Sequence, residues 1–243
     1  ARQEMAKVKL PVIPGSDKVL EEVEEAKAVA QKVGYPVIIK AAAGGGGKGM
    51  RIARNPQHLE EQFPIACNEA KSAFGDPSLY IEKYLSDAHH IEIQVIGDRT
   101  GNVVVFGERE CSVQRKYQKV IEETPSPFVD ERLRKRMMGA VEDAAKHIGY
   151  QSLGTFEFLV DEKKRFYFME ANTRVQVEHP ITEMVYGINL VKAQIRAAAG
   201  EKVVFPLELG MRGHAIECRI NAEDPATFAP SPGRIEFLVL PGG

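Results

Sequence analysis

Apolar and polar positions along the 243-residue chain switch repeatedly between a helical period and a two-residue period, and the switches mark out its elements. Val19, Leu20, Val23, Ala26 and Ala30 recur at helical spacing behind Ser16, which reads as an N-cap, with Gly34 as the stop and Pro36 beyond it. PVIIK at 36–40 predicts a buried strand, AAAGGGGKG a flexible turn and GMRIA a returning strand, before Asn55-Pro56 caps another helix. Strand-like runs follow at SLYIEKYL, HIEIQVIG and NVVVFGE, with GDRTG as the hairpin turn between the last two. Leu133, Met137, Met138, Val141, Ala144, Ala145 and Ile148 give residues 130–148 a helical face. Two further strands, GTFEFLVD and RFYFME, are joined by a charged turn at 162–164. A single last helix is predicted over 182–199, ended by Gly200. The sum is an α+β fold with antiparallel sheets. The apolar pattern restarts near Met211, so 1–210 is read as one domain and 211–243 as the beginning of a second.

Composition narrows the class without naming a chemistry. Lys plus Arg (32) nearly balances Asp plus Glu (34), so no overall field draws the chain to nucleic acid or an anionic membrane. Any anion site must be local. Cys67, Cys111 and Cys218 are odd in number and form no CxxC, which disfavours a disulfide framework and a structural zinc site and fits a reducing cytosol or organelle matrix. No apolar run reaches the roughly 20 residues that span a bilayer. The chain opens without Met and stops at LVLPGG, and is read as a piece of a longer polypeptide.

The densest chemical signal is FYFMEANTRVQVEHP, residues 166–180. In an extended chain alternate side chains share a face, so Glu170, Asn172, Arg174, Gln176 and Glu178 project one way, and Ala171, Val175 and Val177 the other. Extended throughout, the row would span roughly 26 Å at about 3.3 Å per residue. That would reach a metal at one end and a second substrate at the other. A solvated strand face is the bland alternative, although this row follows directly on the apolar FYF. The short turn before it lets the strand carrying Glu157 pair with the strand carrying Glu170. Two facing carboxylates need a partner, either Arg or Lys, or a hard cation such as Mg²⁺ or Mn²⁺ held jointly with phosphates, for which Glu157, Glu170 and Asn172 supply oxygens.

The glycine-rich turn at 44–49 matches GxGxxG at Gly44, Gly46 and Gly49, yet it returns to a strand where a dinucleotide fingerprint would enter a helix. It is not a Walker A loop either, because Gly49 follows Lys48. What remains is a hairpin whose bare N–H groups can close on phosphates, beside Lys40 as a fixed positive charge. ECSVQRKYQKVIEE gathers Gln114, Arg115, Lys116, Gln118 and Lys119 into an anion-binding patch or a solvated basic face. HIEIQV alternates His90, Glu92 and Gln94 against Ile91, Ile93 and Val95, a pattern more typical of a half-buried strand than of a binding row.

Taken together, KAAAGGGGKGMR, EKYL, HIEIQV, ERECSVQRKYQKVIEE, GTFEFL, FMEANTRVQVEHPITEM and HAIECRINAEDP resemble the biotin carboxylase component of acetyl-CoA, propionyl-CoA and pyruvate carboxylases. The resemblance implies an ATP-grasp fold with a lid subdomain at about 15–85. It implies that Lys40, Gly45, Gly46, Gly47 and Met50 hold ATP phosphates, that Glu82, Lys83, Tyr84 and Leu85 form the adenine hinge, and that His90, Gln114 and Tyr117 lie near the nucleotide. Glu157, Glu170 and Asn172 would bind two Mg²⁺ or Mn²⁺ ions. Lys119, Arg174, Gln176 and the Val177 backbone would hold bicarbonate, with Glu178 as its base and Arg219 facing biotin.

The implied reaction, a ligase chemistry, makes carboxyphosphate from ATP and bicarbonate and then carboxylates biotin presented by a carrier protein or domain. A carboxyltransferase component and a homodimeric parent enzyme are the implied partners, and the cytoplasm or a mitochondrial matrix the implied place. Three departures stand out: Tyr117 replaces the family's usual His, Ala171 the Met of MNTR, and the family's N-terminal domain and most of its C-terminal domain are missing. Another ATP-grasp carboxylate ligase is the alternative, against which ECRINAED argues; a noncatalytic nucleotide-binding fragment is a second.

Overall fold

The computed structural model describes residues 2–44, 50–206 and 210–239. Helix α1 (Arg2–Lys7) opens the chain, followed by α2 (Val23–Val33), β1 (Val37–Ala41), β2 (Met50–Ala53), α3 (Pro56–Phe74) and β3 (Leu79–Lys83). These strands form a small antiparallel sheet in the order β2-β1-β3. Its apolar face, with Val37, Ile39, Leu79 and Ile81, packs on Ala26 and Ala30 of α2 and on Leu59 and Phe63 of α3. Asn55 caps α3 as expected, its side-chain oxygen accepting from the His58 N–H at 2.8 Å, with Pro56 at the first helical position.

The expectations for Ser16 and for the last helix need correction. Helix α2 starts only at Val23, and Ser16 is buried beneath β3, where its hydroxyl accepts from the Ile81 N–H. The predicted helix over 182–199 is two helices, because Gly187 adopts a left-handed conformation and Asn189 caps a fresh start.

The larger sheet contains β4 (His89–Gly97), β5 (Val103–Arg115), β6 (Gln118–Thr124), β7 (Ser152–Val160), β8 (Phe166–Asn172) and β9 (Ala215–Cys218). Its order is β8-β7-β4-β5-β6-β9, antiparallel throughout. Residues 215–218, at the start of the segment read as a second domain, thus pair with β6 as an edge strand. Helix α4 (Glu131–His147) covers one face with Leu133, Met137, Val141, Ala144 and Ala145, against Ile91, Ile93, Val95, Phe156, Phe158 and Phe168. Helices α5 (His179–Tyr186) and α6 (Leu190–Ala198) lie after β8, and Leu190 and Ala197 of α6 pack with Ile96, Phe106 and Leu153. No helix among the described residues is long and apolar enough to cross a membrane.

Strand β4 lies in the interior of this sheet, and from His90 to Gly97 the residues of both its faces are buried. The alternation read from HIEIQV is real, but the strand is fully buried, and its polar members must find partners inside the protein. Backbone approach is also tight here: a methyl group on Gly97 would lie 2.0 Å from the Tyr150 carbonyl oxygen. Gly97→Ala should therefore destabilise the protein by about 1–3 kcal/mol. Gly139→Ala in α4, with open space at that position, should stabilise it by about 0.4–1 kcal/mol. Urea unfolding checks both signs, and an unshifted midpoint for Gly97→Ala would contradict the packing described.

Candidate active site

One rung of the large sheet carries the charge. Glu170 faces Glu157 across β8 and β7, Glu157 faces Glu92 across β7 and β4, and Glu92 faces Arg109 across β4 and β5. Adjacent carboxylates on neighbouring strands repel, and here the repulsion is offset by cations inserted between them. The Nε of Arg109 donates to Glu92 Oε1, while Lys119, reaching over from β6, donates to Glu92 Oε2. The same Lys119 ammonium donates to Glu157 Oε1 at 2.8 Å and to Glu178 Oε1 at 2.6 Å. Arg219, just after β9, donates to Glu178 Oε2 at 2.7 Å and pairs with Glu122.

Burial pushes the Glu92 and Glu157 carboxyls up, but the surrounding charges outweigh it. Arg109 and Lys119 hold Glu92 at about 2, and His90 and Lys119 hold Glu157 at about 2. Burial alone would depress Lys119, yet Glu92, Cys111, Glu157 and Glu178 raise it well above its ordinary value. For Glu122, burial prevails over Arg219 and the carboxyl is pushed up.

Lys119, Glu157, Glu178 and Arg219 line a cleft of about 720 Å³. Lys40, Gly44 and Met50 of the small sheet and its turn form one wall, and His90, Gln114, Tyr117, Lys119, Glu157, Glu170, Asn172, Arg174, Gln176, Val177, Glu178 and Arg219 the rest. The polar row of residues 170–178 therefore does reach one site. It is not extended throughout: β8 ends at Asn172, and a turn at 177–178 leads into α5. Val175 turns to the core as expected, whereas Val177 is exposed and lines the cleft. A smaller recess of about 220 Å³ between α6 and residues 202–205 collects Lys192, Arg196 and Lys202 without any carboxylate.

The hinge residues sit outside that cleft lining. Glu82 is instead the counter-ion of Lys40 and Arg2, and Lys83 donates to the carbonyls of Gly34 and Tyr35. The Tyr84 N–H is used by Pro36, while no backbone acceptor among the described residues takes the Leu85 N–H. Gly45, Gly46 and Gly47 lie outside the described residues. Tyr117 is exposed at the β5–β6 turn, and Gln114 donates to the Cys111 carbonyl.

Several features are what a ligand site would leave. Buried His90 Nε2 and Gln176 Oε1 have no hydrogen-bond partner within the protein. His90 Nε2 lies 3.2 Å from Glu157 Oε2, close enough for attraction but outside hydrogen-bond geometry. Glu157 Oε1 is saturated by Lys119, Asn172 and Gln176. Glu157 Oε2, the exposed and unpaired Glu170 carboxylate and the Asn172 amide oxygen remain, among the described residues, as a hard-oxygen set fitting a divalent cation. His90, Glu92 and Glu157 also cluster within 4.8 Å, as do Glu92, Cys111 and Glu178. Both Glu92 oxygens are already taken by Arg109 and Lys119, so these groups are ion-pair clusters.

Sequence reasoning did not single out Glu92, Arg109 or Glu122. The available signal was weak: Glu92 lies within the apolar HIEIQV, but Arg109 is one of three consecutive charged residues, 108–110, and Glu122 lies in the polar run QKVIEET.

Comparison places this fold among ATP-binding domains. The family described as carbamoyl-phosphate synthase L chain, ATP binding domain, matches residues 1–205, and the chain belongs to it. The relatives it resembles are biotin carboxylases. Biotin carboxylase 2 of Populus trichocarpa is 52% identical over 245 residues, covering 100% of this chain and 47% of the relative. Biotin carboxylase 1 of Bacillus subtilis is 51% identical over 246 residues, covering 100% and 55%.

Among solved structures, the Campylobacter jejuni biotin carboxylase β,γ-ATP complex superposes with a TM-score of 0.94 at 51% identity, over 99% of this chain and 54% of that one. The biotin carboxylase domain of Hydrogenobacter thermophilus 2-oxoglutarate carboxylase, a dimer solved with MgADP, ADP and bicarbonate, gives 0.93 at 51%, over 99% and 54%. The chain thus spans about half the length of the relatives it matches. The expected biotin carboxylase resemblance and ATP-grasp fold are borne out.

If Glu157 and Glu170 share one metal-nucleotide cluster, Glu157→Gln and Glu170→Gln should each weaken magnesium-dependent ADP binding in the full-length parent. Losing only a partner of a metal ligand typically costs about 10–100-fold, and losing a ligand's charge should cost at least that. Calorimetric titration of the double variant should show less than the sum of the two losses. Full additivity would mean two unrelated structural carboxylates.

Proposed function

We propose that this chain is the catalytic core of an ATP-dependent biotin carboxylase, a ligase that uses bicarbonate and passes the carboxyl group to biotin through carboxyphosphate. The observation that carries the reading is the position of Glu178, whose two oxygens are held by Lys119 and Arg219. Beside it are the unpartnered Gln176 Oε1 and the Val177 N–H, for which no backbone acceptor is found among the described residues. An acceptor, a donor, two cations and a carboxylate around one corner suit a small oxyanion that carries its own proton. The neighbouring Glu157, Glu170 and Asn172 suit the metal-bound phosphates of ATP.

In this reading the bicarbonate hydroxyl takes the place of a cation's N–H at Glu178, which accepts its proton, and the freed oxygen attacks the γ-phosphorus as the bond to the β–γ bridging oxygen breaks, giving carboxyphosphate and ADP. Divalent ions at Glu157, Glu170 and Asn172 would neutralise phosphate charge. Lys119, already beside Glu157 and Glu178, bridges the two ends and balances charge that develops between them. Lys40, with Gly45, Gly46, Gly47 and Met50, covers the phosphates, and Lys83, Tyr84 and Leu85 receive the adenine. Arg174 closes the anion pocket from the rim. Once carboxyphosphate breaks down to CO₂ and phosphate, the phosphate takes the ureido proton of biotin and Arg219 steadies the resulting anion as it attacks CO₂.

The two-oxoglutarate and pyruvate carboxylase subunits among its relatives support a carrier-borne biotin and a separate carboxyltransferase as partners, and the dimeric relative supports a homodimeric parent.

Glu178→Gln in the full-length parent keeps size and hydrogen bonding while removing the proton acceptor. The turnover number for bicarbonate-dependent ATP cleavage should fall by about 10²–10⁴, with the ATP dependence little changed. Near wild-type turnover would require another base.

A further inference from the structure

Arg109 is completely buried and is absent from the lining of the cleft, so it touches no substrate there. Its guanidinium nevertheless holds four side chains on three other elements. Nε donates to Glu92 Oε1 of β4 at 2.5 Å, Nη1 to Gln94 of β4 at 2.6 Å and to the Thr182 hydroxyl of α5 at 2.9 Å, and Nη2 to the Thr155 hydroxyl of β7 at 3.2 Å. A buried ion pair is by itself weak evidence for stability, since packed apolar residues often serve as well. What sets this one apart is where its two arms lead.

The first arm runs through Glu92. Arg109 takes Oε1, which leaves Oε2 to hold Lys119 at the cleft floor. The second runs through Thr182, in the first turn of α5, the helix that Glu178 immediately precedes as its N-cap residue. The two groups that meet in the cleft, Lys119 and Glu178 at 2.6 Å, are therefore both referred to one guanidinium. We infer that Arg109 is a positioning residue: it sets the spacing between Lys119 and Glu178 by tethering Glu92 on one side and the start of α5 on the other. Only arginine's planar fork offers separate donors for both arms at once. This inference rests on the proposed bicarbonate chemistry for its kinetic consequence, but its geometric consequence stands independently.

The test uses Arg109→Lys and Arg109→Met in the full-length parent. Lysine keeps the charge and can serve one arm only; methionine keeps bulk and serves neither. Misplacing reacting groups by about 1 Å can cost on the order of 10²-fold. Arg109→Met should therefore lose about 100-fold, and Arg109→Lys about 10-fold, in kcat/KM for bicarbonate. MgADP affinity by calorimetry should stay within about 2-fold, since no nucleotide-side residue bonds to Arg109. Crystal structures of the variants should show Lys119 Nζ out of hydrogen-bond reach of Glu178.

A merely structural role would lower the folded fraction and leave the bicarbonate KM and the Lys119–Glu178 contact of the folded protein intact. That outcome, or wild-type kinetics in Arg109→Lys, overturns the inference. Should Arg109→Met fail to fold, Arg109→Lys decides. Should the wild-type parent cleave ATP without regard to bicarbonate, the reaction assignment fails, and the Lys119–Glu178 distance in Arg109→Lys still decides the tether.

Discussion

Lys119 occupies a position that few lysines do: its ammonium is bonded to three carboxylates, those of Glu92, Glu157 and Glu178, and its side chain is only 11% exposed. An amine in such a place loses most of its hydration, and only the surrounding negative charge keeps it protonated. The dependence is mutual. Without Lys119, Glu92 and Glu157 would face each other across adjacent strands in a low-dielectric interior, and breaking such a buried pair typically costs about 3–5 kcal/mol. The central rung of the large sheet is thus an electrostatic unit running from Glu157 through Lys119 and Glu92 to Arg109, and the register of β7, β4 and β5 keeps it intact.

This unit sets charges of both signs in close quarters along the cleft. In the cleft lining the carboxylates Glu157, Glu170 and Glu178 meet the inner cations Lys119 and Arg219, so the inner wall presents both signs. Lys40, Lys116 and Arg174 stand around it on the cleft's other walls. Within the network Lys119 bonds to Glu157 and Arg219 to Glu178, while His90 Nε2 and Gln176 Oε1 have no hydrogen-bond partner among the described residues. In the proposed reaction a ligand exchanges partners with these prearranged charges, which costs less reorganisation than building a site from solvent.

How far this could be read from sequence divides by the physical range of each interaction. The pairing of Glu157 with Glu170 was legible because a short turn fixes local register, and the cap at Asn55 because capping is decided within a few residues. The row from Glu170 to Glu178 was legible as a set even though its backbone does not stay extended, since each member still turns into the cleft. Ser16 was misread because tertiary packing beneath β3 overrode local pattern, whereas the break at Gly187 was a local signal passed over, a left-handed glycine followed by the Asn189 cap. The pairing of Arg109 with Glu92 was passed over because the two are 17 residues apart and a register shift within the hairpin hides which residues face each other from the period of either strand. The motif resemblance added an expectation that spacing alone did not give, that Glu178 is the carboxylate facing bicarbonate.

The central claim is that the cleft around Lys119 joins ATP cleavage to bicarbonate. The most direct measurement is phosphate release from MgATP by the full-length parent, with bicarbonate rigorously depleted or added back, and with or without free biotin. The account predicts negligible release without bicarbonate, release that saturates as bicarbonate is added, and further stimulation by biotin. Release at one rate regardless of bicarbonate, or driven by a different carboxylate instead, would contradict it.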